Sequence, residues 1–198
     1  MDENLNFDLH INEVCNKLKT LFHVFYSIRN FLSKENIKTI YYSLIYSRIK
    51  YGIAVYGQAG LTKMKRIQIL QNRLLKVLAG KKNRYSTDKL HDDFELLKVA
   101  DIANQEILTF VFNYFSGNLP PVFQNYYVTF AELHNINTRN ANNHIRYIDH
   151  NTNIAADSVK IKGAALWNRL SNATKNSLNT KIFRSAYKMS LFPYNHVI

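Results

Sequence analysis

Apolar residues in the first third of the chain recur at alternating intervals of three and four positions. The residues that follow this spacing are Ile11, Val14, Leu18, Leu21, Phe25, Ile28 and Leu32. Positions three and four apart lie on one face of an α-helix, so the pattern predicts a single amphipathic helix of about 22 residues. It stops after about three heptads, which favours packing within one domain over a long coiled coil.

Two more helices are predicted before residue 85. Ser33 is placed to cap the second helix, and Thr62 is placed to cap the third. The second helix runs toward Gly52 or Gly57. Gly80 stands where a left-handed residue commonly ends a helix, just after the third. The apolar sides consist of Ile37, Ile40, Leu44, Ile45 and Ile49 in the second helix and of Ile67, Leu70, Leu74, Val77 and Leu78 in the third.

A fourth helix is predicted from Asp101, as its cap, to a stop at Gly117. Pro120-Pro121 then requires an extended turn, because proline lacks an N–H group and restricts the residue before it. This interruption of the helical pattern predicts a basic helical domain of residues 1–117 and a C-terminal region of residues 118–198.

The C-terminal region mixes loop, strand and helix signals. Residues 134–157 are dense in asparagine without helical periodicity, so they are interpreted as loop with short strands. Val159–Lys162 alternate apolar and basic positions, which predicts a short strand ended by Gly163. Two helices follow near Ala164–Leu170 and Thr180–Leu191. The predicted apolar side of the last helix is Ile182, Phe183, Ala186 and Met189. The fold class expected from these elements is mainly α.

Charge is distributed unevenly along the 198 residues, whose net charge is +12. From Lys17 to Arg84 there are fifteen lysines and arginines and a single acid, Glu35. Such a field attracts polyanions, of which phosphate backbones are the most abundant in cells. The alternative is that these side chains only solvate helix faces. The candidate backbone-binding residues are Lys63, Lys65, Arg66, Arg73, Lys76, Lys81, Lys82 and Arg84.

Tyrosines interleave with basic residues between positions 41 and 51. The residues concerned are Tyr41, Tyr42, Tyr46, Arg48, Lys50 and Tyr51. Tyrosine beside arginine and lysine is typical of grooves that stack bases and follow phosphates. At helical spacing, however, half of these rings must face the core and pack there. Both interpretations stay open for each ring.

Catalytic chemistry finds little support in the sequence. Two-metal polymerases and nucleases need acidic residues that hold two Mg²⁺ ions about 4 Å apart. The only adjacent acids after the N-terminal tail are Asp92-Asp93, which we interpret as surface or helix-cap residues. A second, weaker hint of a metal cluster consists of His134, His144, Asp149, His150 and Asp157. We therefore assign no catalytic residue, no metal ligand and no cofactor.

The location is constrained only broadly. Cys15 is the single cysteine, which excludes an internal disulfide and a cysteine-based zinc site. No apolar run approaches the ~20 residues that span a bilayer, so no membrane partner is expected. The acidic N-terminus lacks the apolar segment of a secretory signal. These features fit a reducing intracellular compartment, either nucleus or cytoplasm.

Six short phrases follow one another along the chain: Asn4–Ile11, Ile40–Gly52, Leu70–Arg73, Gly117–Pro121, Thr138-Arg139 and Gly163–Leu170. In this order they resemble the thumb and C-terminal region of Jockey-like non-LTR retrotransposon reverse transcriptases. Leu70-Gln71-Asn72-Arg73 matches the family's Leu-Gln-Asn-Arg, and the last phrase matches its Gly-x-x-Leu-Trp-Asn-x-Leu. Each phrase alone is weak, whereas their common order covers nearly the whole chain.

The resemblance implies a helical thumb-like bundle that grips the backbone of a template–primer duplex, with RNA or DNA as partner. It also implies that the family's metal-binding aspartates lie upstream of Met1, in a palm with which this chain could associate. We interpret Trp167 as a core anchor in preference to a base-stacking residue, and Thr138-Arg139 is either a phosphate contact or a pair that fixes a loop. A domesticated or residual open reading frame is the alternative. It would act in protein interaction, because a first helix (Ile11–Leu32) without its palm would expose an apolar stripe.

Overall fold

The structure is a computed structural model that describes residues 7–131 and 144–192, without the side chains of Asn153 and Ile154. Its α-helices are α1 (Asp8–Lys19), α2 (Leu21–Ile28), α3 (Lys34–Ile40), α4 (Ser47–Lys50), α5 (Ile53–Tyr56), α6 (Leu61–Leu78), α7 (Thr87–Phe94), α8 (Val99–Phe115), α9 (Asn153–Ala156), α10 (Val159–Asn168), α11 (Asn172–Lys175) and α12 (Thr180–Leu191). Tyr41–Tyr46 form a π-helical segment, and Arg29–Phe31 and Pro121–Phe123 form 3₁₀ turns. The predicted mainly α fold class is confirmed.

The described part of the chain separates into two compact units, residues 7–103 and residues 104–192. The predicted domains, 1–117 and 118–198, stay a prediction. The only bridge between extended segments in the described ranges pairs Thr129 with Ile145. None of the described helices combines the length and the apolarity needed to cross a bilayer.

The first predicted helix is wrong as a single element, because it divides at Thr20 into α1 and α2. The Thr20 hydroxyl donates to the Lys17 carbonyl at 2.8 Å, a local bond that competes with regular helix pairing. The apolar spacing nevertheless continues across the break. Its buried members are Ile11, Val14, Leu18, Leu21 and Phe25.

The second predicted helix is confirmed at both ends. The Ser33 hydroxyl accepts a hydrogen bond from the Asn36 N–H at 3.3 Å, and Gly52 adopts a left-handed φ of 72° after α4. The buried stripe is Ile37, Tyr41, Ile45 and Ile49, whereas Ile40 and Leu44 are only half-buried. A stripe that steps by four drifts about 40° per step on an α-helix. The wider turn of the π segment offsets this drift.

Helix α6 confirms the predicted end but not the predicted cap. It begins at Leu61 after Gly60, so Thr62 lies in its first turn and caps nothing. Gly80 has a φ of 63°, and the Lys81 N–H donates to the Lys76 carbonyl at 2.8 Å, as in a Schellman motif. All five predicted apolar residues of this helix are buried.

Side-chain contacts show how these helices pack. Asp8 and Lys63 pair at 2.9 Å, and the Arg66 guanidinium donates to the Asn12 amide oxygen at 2.8 Å. The Arg73 guanidinium lies over the Phe22 ring. Residues later in α1 and α2 contact residues later in α6. The α1–α2 segment and α6 therefore pack in parallel. The buried stripe of α1 and α2 is thus covered, and the expectation that it would be exposed is wrong.

The start of α8 also differs from the prediction. The helix begins at Val99, so Asp101 lies in its first turn instead of capping it. The Asp101 carboxylate accepts a hydrogen bond from the Lys98 backbone, and burial raises its pKa. Gly117 ends this helix with a φ of 69°, as predicted, and Pro120 is extended before the 3₁₀ turn.

The second unit corrects two further predictions. Val159–Lys162 form the first turn of α10, not a strand, because the Ser158 hydroxyl caps the helix by accepting from the Ile161 N–H at 3.3 Å. Helix α12 has the predicted bounds, but Ile182 and Met189 are exposed, and Tyr187 is buried with Phe183. Tertiary packing favours the face with the two large rings.

Candidate nucleic-acid interface

One face of α6 carries four cations, of which three are exposed and Lys76 is half-buried. At 100° per residue, Lys65, Arg66, Arg73 and Lys76 fall within an arc of about 100°. The arc spans about 16 Å along the helix axis, and Ile69, itself 47% exposed, lies near its centre. These four residues are called the basic face of α6 below. No acid occurs anywhere in α6.

Three of the predicted residues are held by neighbours on α1 and α2. Arg66 is anchored by Asn12, and Arg73 by the face of the Phe22 ring at 5.6 Å. Both guanidinium groups keep further N–H donors for a ligand. Lys63 differs, because its ammonium is neutralised by Asp8 and it lies on another side of α6. The structure thus brings Lys65, Arg66, Arg73 and Lys76 together and separates Lys63 from them.

The remaining candidates follow the C-terminal end of α6. The Lys76 ammonium donates to the Asn83 carbonyl at 2.7 Å, which draws the following loop toward the helix. Lys81, Lys82 and Arg84 are exposed in this loop, and the Lys81 ammonium lies 5.1 Å from the centre of the Tyr85 ring. Part of this pattern is structural, because cations stabilise the negative end of a helix dipole.

The Leu70–Arg73 phrase has a buried role that the sequence did not reveal. Gln71 donates to the Tyr41 hydroxyl at 2.6 Å and to the Leu97 carbonyl at 2.9 Å. Gln68 donates to the Gln71 and Asn72 oxygens, and its own oxygen accepts from the Val99 N–H at 2.7 Å. The phrase thereby fixes the segment between α7 and α8. Only Arg73 of the four residues is exposed. The sequence does contain one sign of this role, because Gln71 is a polar residue among the apolar positions of α6.

His91 completes this buried network. Its Nδ1 lies 2.7 Å from the Leu96 carbonyl oxygen, and its Nε2 lies 2.9 Å from the Asn72 amide oxygen. Burial lowers the pKa of His91 and outweighs the opposing effect of the hydrogen bond to Leu96. The ring therefore acts as an internal polar link and not as a surface ligand.

The structure shows which of these tyrosines pack in the core and which are exposed. Tyr41 is fully buried in the network, and burial raises the pKa of its hydroxyl. Tyr42 is 37% exposed and Tyr46 is half-buried, whereas Tyr51 is 77% exposed at the end of α4. Only the exposed rings are available to a ligand.

The acidic and histidine candidates do not form a site in the described chain. Asp92 and Asp93 are exposed on α7, where the Tyr85 hydroxyl donates to Asp93 at 3.2 Å. Within residues 7–131 and 144–192, no three His, Cys, Asp or Glu side chains are grouped so as to hold a metal ion. His134 and Thr138-Arg139 lie outside the described residues.

Trp167 has the core position that was expected. Trp167 is 3% exposed and stacks on Phe115 with 5.2 Å between ring centres, so it is a core residue. Cys15 is buried on α1, where burial raises the pKa of its thiol.

A mainly helical chain with a basic helix face is the class of protein that these observations define. This chain is 31% identical over 108 residues to the "Probable RNA-directed DNA polymerase from transposon X-element" of Drosophila melanogaster. The aligned region covers 53% of this chain and 12% of the relative. It is 28% identical over 104 residues to the "RNA-directed DNA polymerase from mobile element jockey" of Drosophila funebris. This aligned region covers 51% of this chain and 11% of the relative.

These similarities confirm the resemblance to Jockey-like non-LTR retrotransposon polymerases, over about half of the chain. The chain spans only about one tenth of either relative's length. No family model matches the sequence, and no solved structure matches it.

Proposed function

We propose that this chain is a non-catalytic, C-terminal part of an RNA-directed DNA polymerase of retrotransposon type, which binds nucleic-acid backbone. The observation that carries the proposal is the basic face of α6, four cations within one arc of a helix that has no acid. Similarity to two retrotransposon polymerases supports the choice of nucleic acid over other polyanions.

The chemistry of the basic face suits phosphates rather than base edges. Arg66 and Arg73 each present a planar fork that can bind a phosphate through two N–H groups, and Lys65 adds a point charge. Anchoring by Asn12 and Phe22 limits the side-chain entropy that the two arginines lose on binding. We therefore expect contact with the duplex that is independent of its sequence.

The first prediction concerns the salt dependence of duplex binding by the whole chain. Each phosphate contact contributes about −0.9 to the slope of log K against log salt concentration for B-form DNA. The double variant Lys65→Gln, Arg73→Gln should therefore reduce the slope magnitude by about 1.8 and weaken binding at low salt. Fluorescence anisotropy of a labelled 20-base-pair DNA duplex, titrated at several salt concentrations, measures both quantities.

The matched control neutralises two exposed lysines on other helices, α7 and α12, in the variant Lys89→Gln, Lys181→Gln. It removes the same charge from the molecule and should leave most of the slope intact. An equal effect of both double variants, or no binding by the unaltered chain at low salt, would overturn the proposal.

The alternative of a protein-interaction remnant rested on an exposed apolar stripe of the first predicted helix. That stripe is buried in the first unit, between 0% and 5% exposed at its five inner positions. The observation that motivated this alternative is therefore absent from the first unit.

A further inference from the structure

The second unit contains a small cavity with aromatic walls. Its volume is about 270 Å³, and Tyr126, Tyr127, Ile145 and Tyr147 are among the residues that line it. This volume lies just below the ~300–1,000 Å³ of sites for drug-sized ligands, so the cavity suits a single ring system. None of its lining residues belongs to the basic face of α6, and nothing in the proposed function uses the cavity.

Hydrogen bonds hold two of these walls in place. The Tyr127 hydroxyl donates to the Val159 carbonyl at 2.9 Å, and the Tyr127 carbonyl accepts from the Tyr114 hydroxyl at 2.9 Å. Asn168 binds both backbone groups of Ile145, accepting from its N–H at 2.9 Å and donating to its carbonyl at 2.8 Å. The cavity is therefore preformed, and a ligand would lose little affinity to the ordering of these walls.

The lining includes two cations and one acid. The Lys160 ammonium lies over the Tyr126 ring, 5.2 Å from its centre, and both residues line the cavity. Arg146 is exposed, and its guanidinium has no hydrogen-bond or ion-pair partner among the described residues. Asp149 is the acidic member of the lining. The excess of positive charge favours a ligand that joins a flat ring to an anion.

We propose that this cavity binds one unpaired nucleotide of a single strand. The base enters between the aromatic walls, with the ring of Tyr147 available for stacking because it is 54% exposed. The neighbouring phosphate meets Arg146 and Lys160. Stacking on an aromatic face is open to every base, so the site is tolerant of sequence.

The test uses the full chain and a short oligothymidine with one central 2-aminopurine, whose fluorescence falls when the base stacks. Replacing Tyr147 by phenylalanine should preserve the quenching. Tyr147→Ala should weaken binding about tenfold, the order of one lost base stack. The matched control is Tyr26→Ala, because Tyr26 is also 54% exposed but lies on α2 in the first unit.

Two further arms separate ring insertion from simple charge attraction. An oligonucleotide with abasic sites keeps its phosphates, so it should bind the unaltered chain as weakly as the normal strand binds Tyr147→Ala. Arg146→Gln should weaken binding of the normal strand more than Arg169→Gln, which removes an exposed arginine outside the cavity lining.

Equal affinity for normal and abasic strands would overturn this proposal, and so would an effect of Tyr26→Ala as large as that of Tyr147→Ala. The same chains can be titrated with duplex, where the cavity variants should bind as the unaltered chain does. Single-strand binding at the cavity and duplex binding by the basic face can therefore fail independently.

Discussion

At the scale of single residues, the buried polar side chains determine how α6 positions its cations. Gln71 is buried and donates to the Leu97 carbonyl in the segment that follows α7, Asn72 contacts His91 on α7 itself, and Arg73 is thereby placed on the outer surface. A buried polar group that loses its partner costs about 1–3 kcal/mol. These bonds therefore fix the rotation of α6 within its unit.

The buried His91 leads to a prediction about how the stability of the chain depends on pH. Because its pKa is lowered in the folded chain, the unfolded chain binds more protons between that lowered pKa and about 6.5, the ordinary value for histidine. The contribution of His91 to the free energy of unfolding is therefore fully present above about pH 6.5. It is lost as pH falls, by at most about 1.4 kcal/mol per pH unit. Urea unfolding at pH 5.5 and 7.5 measures the difference.

His91→Gln should reduce this loss of stability on acidification, and the exposed His23→Gln should not. Burial also lowers the pKa of His144, so part of the pH dependence should remain in this variant. An unchanged pH dependence in His91→Gln would show that the titration of this ring does not control stability.

At the scale of elements, helix propensity and side-chain packing favour different residues at one position of α10. Gly163 lies inside this helix, where alanine would be favoured by about 1 kcal/mol on propensity alone. A Cβ atom there would lie 2.5 Å from the Tyr127 hydroxyl and 3.1 Å from a Val111 methyl group. Overpacking of this kind costs about 1–3 kcal/mol, so packing outweighs propensity.

Gly163→Ala should therefore destabilise the chain by about 1 kcal/mol in urea unfolding, the difference between the two effects. In a Tyr127→Phe background the closest clash is removed, so the same change should cost less. A gain in stability from Gly163→Ala in the unaltered chain would mean that Tyr127 shifts without cost.

At the scale of the whole molecule, positive charge and similarity to polymerases are the basis for proposing a role beside a catalytic partner. In the proposed function the net charge of +12 serves to attract nucleic acid, and metal-dependent chemistry is assigned to a palm on the larger protein. Positioning of the duplex would then be this chain's contribution to polymerisation.

The purified chain should accordingly give no primer extension with Mg²⁺ and nucleotides. Adding it to a separately produced palm fragment of a related polymerase should lengthen the products, and the Lys65→Gln, Arg73→Gln variant should do so less. Product lengths on a denaturing gel measure the effect. Extension by the chain alone that Asp92→Asn abolishes would contradict the non-catalytic proposal.

The sequence by itself determined the features that depend on neighbours along the chain. The apolar spacing of α6, the Ser33 cap and the glycine stops at Gly80 and Gly117 were all predicted, because each reflects local backbone geometry. The concentration of cations between Lys17 and Arg84 is likewise a property of the sequence. The ordered phrases were sufficient to indicate the polymerase family.

Only the tertiary structure decided which side of an element is buried where several sides are plausible. Tyr187 replaces Ile182 in the core, and Val159–Lys162 form a helix despite their alternation, because partners distant in sequence supply the packing. The aromatic cavity depends on the same cause. Asn168 reaches the backbone of Ile145, 23 positions earlier in the chain, and no local pattern encodes that contact.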